Sequence, residues 1–466
     1  MNAPVIWLVI PVVAAAVLWF IRSERWTATL GGSLAFILCL LAIAIPIDQA
    51  LLIGNLSIRI TPLYEIFGRR FILSAADQLI LVMIYGIVSF WFFAAGVAKI
   101  THRLIPLGFL ITSLLLGSLA VEPFLYAALL IEMAVLVAIP LLVPLDTLPG
   151  KGVLRFLIFQ TLAMPFILFA GFLLSGVEAS PADVNLVIQA GVLLGIGFAF
   201  LLAVFPFYTW VPMLCEEAPP YAVGFVLMIF PTIGILFGLS FLDRFTFLRE
   251  SRQLYEILRF IGIITLVTAG LWSMFQNHVA RLMGYASLIA TALSILAMSL
   301  PDATTAVGLV FLLILPRALG LAVWSLALTT LQDRTASLSF GSAQGQARNL
   351  PFVSAAIIGS ALSLAGVVPF IGFPIHYSLW GEIGSFSIPL GVWFGFGVLG
   401  LAIGALRTLS ALVTSPEGAP WRSVENWTER ILLGLGVAAL FLLGLFPHWT
   451  QVILTRLPTV FERLGK

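Results

Sequence analysis

The chain has 466 residues, of which 61% are hydrophobic and only 9% charged, and its mean hydropathy is +1.13. A soluble domain carries roughly a quarter charged residues, so this composition excludes a water-soluble globule. A net charge of +2 with no Lys/Arg-rich block excludes a nucleic-acid partner, and Cys39 and Cys215, both in or beside apolar sequence, support neither a disulfide framework nor a cysteine metal site.

Apolar runs long enough to cross a bilayer, about 20 residues each, recur between short polar breaks. They do not alternate in the short segments of a membrane β-barrel, so the expected fold is all-α and polytopic. About fourteen spans are expected, near residues 3–21, 28–47, 78–98, 104–121, 123–144, 153–175, 185–204, 219–241, 256–276, 280–300, 304–330, 352–374, 387–411 and 429–447. The first run lacks a basic start and a small-x-small cleavage site, so it reads as a span rather than a signal peptide. The polar stretch Asp48 to Asp77, with Arg59, Glu65, Arg69 and Arg70, reads as a loop or interfacial segment. An even number of spans puts both termini on one side, and the distribution of basic residues slightly favours the outside.

One segment echoes another. Ala203-Val204-Phe205-Pro206-Phe207-Tyr208-Thr209-Trp210 resembles Gly366-Val367-Val368-Pro369-Phe370-Ile371-Gly372-Phe373. Proline removes a backbone donor and clashes with the preceding turn, so helix breaks are expected at Pro206 and Pro369. Paired broken helices point to a repeated transporter architecture, although proline is also common in membrane helices generally.

Charged side chains inside spans cost at least about 2.5–3.5 kcal/mol at the bilayer centre and need a reason to be there. Glu132 reads as a protonatable site on a proton path, or as a carboxyl satisfied by a neighbouring helix. Arg317, whose guanidinium does not release its proton, reads as a fixed countercharge. His376 reads as a proton relay or as an interfacial histidine, and Glu382 and Arg407 read mainly as snorkelling or interhelical pairing residues, with Glu382 kept beside Glu132, Arg317 and His376 as a proton-path candidate. His102, His278, His376 and His448 show no metal-ligand spacing, and no Gly-rich phosphate loop is present. No metal, cofactor, redox or hydrolytic chemistry is expected on this chain.

The stretch Phe205-Pro206-Phe207-Tyr208-Thr209-Trp210-Val211-Pro212, followed by Glu217-Ala218-Pro219-Pro220, resembles the Pro-Phe-His-x-Trp-Leu-Pro and Glu-Ala-Pro signature of antiporter-like subunits of respiratory complex I (NADH-quinone oxidoreductase) and Mrp-type cation/proton antiporters. Glu132 with Ile139-Pro140, the run Arg281-Leu282-Met283-Gly284-Tyr285-Ala286-Ser287 and the run Gly366 to Phe373 follow the family's further motifs in order. The resemblance covers roughly residues 75 to 415. It implies a single transmembrane domain over 1–466: N-terminal helices in 1–103, two inverted five-helix repeats in 104–241 and 256–411, each with a broken helix, and a C-terminal helix at 429–447. It also implies a proton-translocating subunit of a redox-driven or ion-pumping complex in a bacterial or archaeal cytoplasmic membrane. The expected partners are other membrane subunits, the lipid bilayer, and iron-sulfur and flavin subunits of the same assembly.

The sequence departs from the family at its titratable positions. The family's lysines fall on Leu201, Arg317 and His376, its lysine or histidine beyond Tyr-Ser-Ser falls near Ala290, and its Asp-Ala-His becomes Met213-Leu214-Cys215. Glu132 thereby loses the countercharge that would hold it ionised, so the relay is expected to be impaired or rerouted. Two rival readings follow, a non-conducting structural subunit and the membrane partner of an inorganic-carbon uptake complex. The chain ends soon after its last span, so no long lateral C-terminal helix is expected.

Overall fold

The computed structural model describes residues 2–53, 56–66, 68–98, 102–143, 148–179, 184–414, 421–450, 461 and 464. The expected segment boundaries are reproduced within a few residues at most helices. In chain order the elements are α1 (Val5–Trp19), α2 (Glu24–Ala44), β1 (Ala50–Ile53), β2 (Leu56–Arg59), β3 (Leu63–Ile66), β4 (Arg69–Ile72), α3 (Gln78–Ala95), α4 (Leu104–Ala120), β5 (Val121–Glu122), α5 (Ala127–Leu142) and α6 (Lys151–Ala179). There follow α7 (Val184–Leu201), α8 (Trp210–Glu217), α9 (Pro220–Arg244), α10 (Thr246–Arg249), α11 (Arg252–Met274), α12 (Val279–Met298), α13 (Ala303–Gln332), α14 (Phe340–Ala343), α15 (Pro351–Leu364), α16 (Gly372–Phe386), α17 (Ile388–Val413) and α18 (Trp427–Leu445).

Ten helices among the described residues are long and apolar enough to span a bilayer, or eleven if the pair Phe340–Arg348 and Pro351–Leu364, bent by 116°, counts as one. Three shorter apolar helices accompany them, Val5–Trp19, Leu104–Ala120 and Asn185–Leu201. Length and composition alone therefore do not establish the expected fourteen. The chain is also not purely helical: the polar stretch after α2 folds into an antiparallel hairpin of β1 and β2 and a sheet in the order β3-β4-β5. That segment is too polar for a span, and its backbone groups pair across strands instead, with Arg70 opposite Glu122 in register. The Arg69 guanidinium lies 3.8 Å from the Tyr126 ring centre, tying this sheet to the start of α5.

α9, α12 and α13 form the buried centre, while α2, α6, α17 and α18 turn large apolar side chains outward. Local sequence sets the helix ends. Proline at the first turn starts α9, α15 and α17 where no backbone donor is needed. At the start of α13, Asp302 accepts from the Thr305 backbone N–H at 2.9 Å and from its hydroxyl, bonds that hold its carboxyl below the usual carboxylate range. Asn426 and Glu429 form a reciprocal cap on α18, and Glu429 also pairs with Arg334 at the end of α13 at 2.6 Å. The C-terminal segment, where no lateral helix is expected, lies mostly outside the described residues.

α11 packs on α17 through backbone rather than side chains. A Cβ at Gly270 would strike the Gly397 carbonyl oxygen, and one at Gly400 would strike the Gly270 carbonyl oxygen. Small residues allow this approach where, in lipid, van der Waals contact rather than water exclusion holds helices together. Gly400→Leu is expected to cost about 1–3 kcal/mol or more by forcing the helices apart. Gly395→Leu, whose added Cβ would meet open space on the same helix, should be near neutral. Thermal denaturation of the detergent-purified protein compares the two.

Candidate functional site: two helix breaks and their buried polar groups

The expected breaks are present, and they are built alike. α7 ends at Leu201, and the chain resumes as helix only after Pro206; α15 ends at Leu364 and resumes at Gly372. The bonds Phe205-Pro206 and Val368-Pro369 are both cis. Each first half closes with the same cap: Val204 N–H donates to the Ala199 carbonyl (3.2 Å) and Ala203 N–H to that of Phe200 (3.2 Å), and equivalently Val367 to Leu362 (2.9 Å) and Gly366 to Ser363 (3.0 Å). This is the Schellman arrangement, which needs one residue in the left-handed region. Gly366 supplies it at φ +63°, whereas Ala203 occupies it at φ +52°.

Apolar patterning ends the second broken segment near residue 374, with His376 and Glu382 beyond it. In the structure both residues instead lie on α16, the segment's second half, because the helix resumes at Gly372 and runs on past them. His376 is buried, and its ring packs on Gly366, where a Cβ would strike Nδ1. His376 Nδ1, Ser360 Oγ and Ser363 Oγ are all buried here without a protein partner. Glu382 faces outward.

The first break is served by neutral polar groups. Gln160 of α6, 1% exposed, donates through Nε2 to the Leu201 carbonyl at 3.1 Å, satisfying an acceptor that the helix end releases. Phe205 N–H donates to Thr265 Oγ1 of α11 at 3.1 Å. A cavity of about 10 Å³, room for about one water, lies among Gln160, Leu201, Trp210, Ser287 and Thr291. Gln160 Oε1 and Trp210 Nε1 are buried without a protein partner.

Arg317 is 1% exposed, and its Nη2 donates to Thr291 Oγ1 at 3.0 Å. Thr291 in turn donates to the Ser287 carbonyl at 3.1 Å. The guanidinium therefore connects through Thr291 to the cavity at the first break. Among the described residues no carboxylate pairs with it.

Glu132 sits elsewhere, half-buried between α5 and α6, with Leu129, Met133 and Leu136 of the same helix exposed. Thr161 donates to its Oε1 at 2.9 Å, and its Oε2 is buried without a partner. Thr161 adjoins Gln160, so adjacent residues of α6 bond Glu132 and the first break. Glu132 and Arg317 form no ion pair in the structure. Arg407, expected to snorkel or pair between helices, donates to the Met274 carbonyl and, at 2.9 Å, to Asn277 Oδ1. The motif acid Glu217 plays a structural part, since its Oε2 accepts the Gly152 N–H at 2.6 Å at the start of α6, while Glu216 pairs with Arg281 at 2.5 Å.

Sequence reasoning does not single out Gln160, Thr265, Thr291, Ser360 or Ser363. Serine and threonine in membrane helices usually bond their own backbone, as Thr232 does, so their type carries no signal. Gln160 is the legible one, an amide inside an apolar run.

Residues 156–402 match the family model described as NADH:quinone oxidoreductase/Mrp antiporter, TM. A similar curated relative is the NADH-quinone oxidoreductase subunit N of Bdellovibrio bacteriovorus, 25% identical over 224 residues, which are 47% of this chain and 45% of the relative. The chain thus spans about half the length of such a relative in alignment. A chain of respiratory complex I from Thermus thermophilus matches in structure with a TM-score of 0.77 at 21% identity, covering 99% of this chain and all of that one. A chain of the membrane-bound sulfane sulfur reductase, an archaeal respiratory membrane complex, matches with a TM-score of 0.84 at 14% identity, covering 100% and 99%.

Two outcomes follow from the local geometry. Ala203→Gly should stabilise the protein by about 1 kcal/mol by relieving a left-handed alanine, while Gly366→Ala should destabilise it through His376; melting temperatures read both. Thr291→Val should cost about 1–3 kcal/mol by leaving the Arg317 guanidinium another unpaired donor, and close to nothing when Arg317→Met is already present. Denaturation of the single and double variants measures that coupling.

Proposed function

Because the chain belongs to the NADH:quinone oxidoreductase/Mrp antiporter transmembrane family, we propose that it is a proton-translocating, antiporter-like membrane subunit of a larger redox-driven or ion-pumping complex. The observation that supports this reading most is the pair of equivalent helix breaks, each with buried polar groups beside freed backbone. In a bilayer, irregular backbone is tolerated only where it is buried in protein or lines a watered cavity. Broken helices of this kind serve ion sites in transporters generally.

On this reading residues 104–241 and 256–411 are the two repeats. Protons pass by Glu132, Thr161 and Gln160 to the first break, then along the Thr291 side of Arg317 toward His376. Arg317 acts as a fixed positive charge that sets the field for neighbouring protons and does not itself relay them. Hydroxyls and water, the water held by the Gln160 amide, carry the proton past Leu201 and Ala290. Other membrane subunits complete the assembly, with iron-sulfur and flavin subunits where redox chemistry drives it, in a bacterial or archaeal cytoplasmic membrane. Glu382, exposed on α16, meets such a neighbour on this reading.

A second reading, a subunit that keeps the fold without conducting, draws support from the apolar Leu201 and Ala290. Proton flux in liposomes containing the purified complex separates the two. Glu132→Gln should lower flux by about tenfold or more if the carboxyl relays protons. Flux unchanged by the substitution removes Glu132 from the path, and no flux attributable to this subunit in the unaltered complex favours the structural reading. Identifying the co-purified subunits tests the redox partner, since a large zinc-containing partner would instead indicate carbon uptake.

A further inference from the structure

A cavity of about 120 Å³, walled almost wholly by apolar atoms, lies between α7, α9, α11 and α12. It is separate from the polar cavity at the first break, although Leu202 of that break borders both. On α9 its wall runs from Gly234 to Leu242, about 12 Å at the helical rise. It begins at α10 and the first turn of α11, where Leu248 and Leu254 line it, and ends on Leu202 and Val204 of the broken segment. That depth approaches one leaflet of hydrocarbon, about 15 Å.

Two features define what fits. Gly191 and Gly195, one turn apart on α7, line the cavity, and a Cβ at either would meet open space, so the helix presents a notch there. A volume of about 120 Å³ is too small for a helix, which is about 10 Å across with its side chains, and suits a single hydrocarbon chain. Between the lining Leu248 and Leu254 the sequence places Arg249 and Arg252, along with Glu250. Arg249 donates to the Asp243 carbonyl at 3.0 Å, and Arg252 forms an exposed pair with Glu256 at 2.9 Å, an interaction weak enough to yield to a phosphate.

We propose that this crevice is a binding site for an anionic phospholipid, with one acyl chain lying along Gly191 and Gly195 down to the broken segment and the phosphate beside Arg249 and Arg252. The chain packed on Leu202 and Val204 closes the apolar flank of the break. The site does not depend on whether the subunit conducts protons.

Photo-crosslinking tests it, using the intact complex in nanodiscs doped with phosphatidylglycerol or phosphatidylcholine that carries a diazirine on one acyl chain. Peptides from 188–204 and 254–261 should be labelled more strongly than the outward face of α17, and phosphatidylglycerol should label them more than phosphatidylcholine. Gly195→Leu, which fills the notch, should lower that labelling by about tenfold, the equivalent of about 1.4 kcal/mol, while labelling of α17 stays constant. Arg249→Ala with Arg252→Ala, where Arg249 is half-buried and Arg252 exposed, should abolish the preference for phosphatidylglycerol, and Arg252→Ala alone should weaken it and serves if the other variants do not fold. Labelling no stronger than on α17, no loss with Gly195→Leu, equal labelling by the two lipids, or recovery of an isoprenoid quinone from the site in place of phospholipid would each overturn the proposal.

Discussion

Every backbone donor and acceptor inside a bilayer must find a partner within the protein, because hydrocarbon offers none. Most of this chain meets the demand by being helix. The two breaks, around Ala203 and Gly366, release groups at mid-helix, and the surrounding structure answers them. The Schellman caps close the carbonyls of Ala199, Phe200, Leu362 and Ser363; Gln160 answers Leu201, Thr265 answers Phe205, and Leu440 of α18 receives the N–H of Ile371 at 2.9 Å. The groups that answer the breaks come from α6, α11 and α18, around the buried centre of α9, α12 and α13, where Thr291 and Arg317 add further polar atoms.

The two halves answer the same need with different chemistry. Around the first break the polar groups are neutral, an amide and hydroxyls, with the Arg317 charge held a residue away through Thr291. Around the second, an imidazole is pressed against the glycine that makes the turn possible, so conformation and titratable group are coupled there. Arg317 stands out thermodynamically: a buried guanidinium hydrogen-bonded to a hydroxyl rather than paired with a carboxylate is costly. On the proposed function, that cost is met because the field of the charge is used.

Much of the architecture is legible in the sequence because it rests on composition and periodicity. The spans follow from apolar runs, and both breaks from the repeated Val-x-Pro-x pattern, since proline acts through its own backbone. Two things escape such a reading. The hairpins after α2 have no signature beyond polarity, and the second half of the broken segment is hidden because Gly372 to Phe386 is short and carries His376 and Glu382. At the site, Glu132, Arg317 and His376 can be named from sequence because charge in an apolar run is conspicuous. Their relations cannot: which pairs touch depends on helix rotation and crossing, so the separation of Glu132 from Arg317 and the bridging by Gln160 and Thr291 appear only in three dimensions.

The glycine seam between α11 and α17 bears on how such a molecule moves. Helices whose backbones interlock at Gly270, Gly397 and Gly400 cannot slide along one another without first separating, and separation forfeits the close contact that holds them. α11 and α17 therefore travel as one rigid strut. Backbone freedom in this part of the protein is then confined to the segments that are already discontinuous, the two breaks.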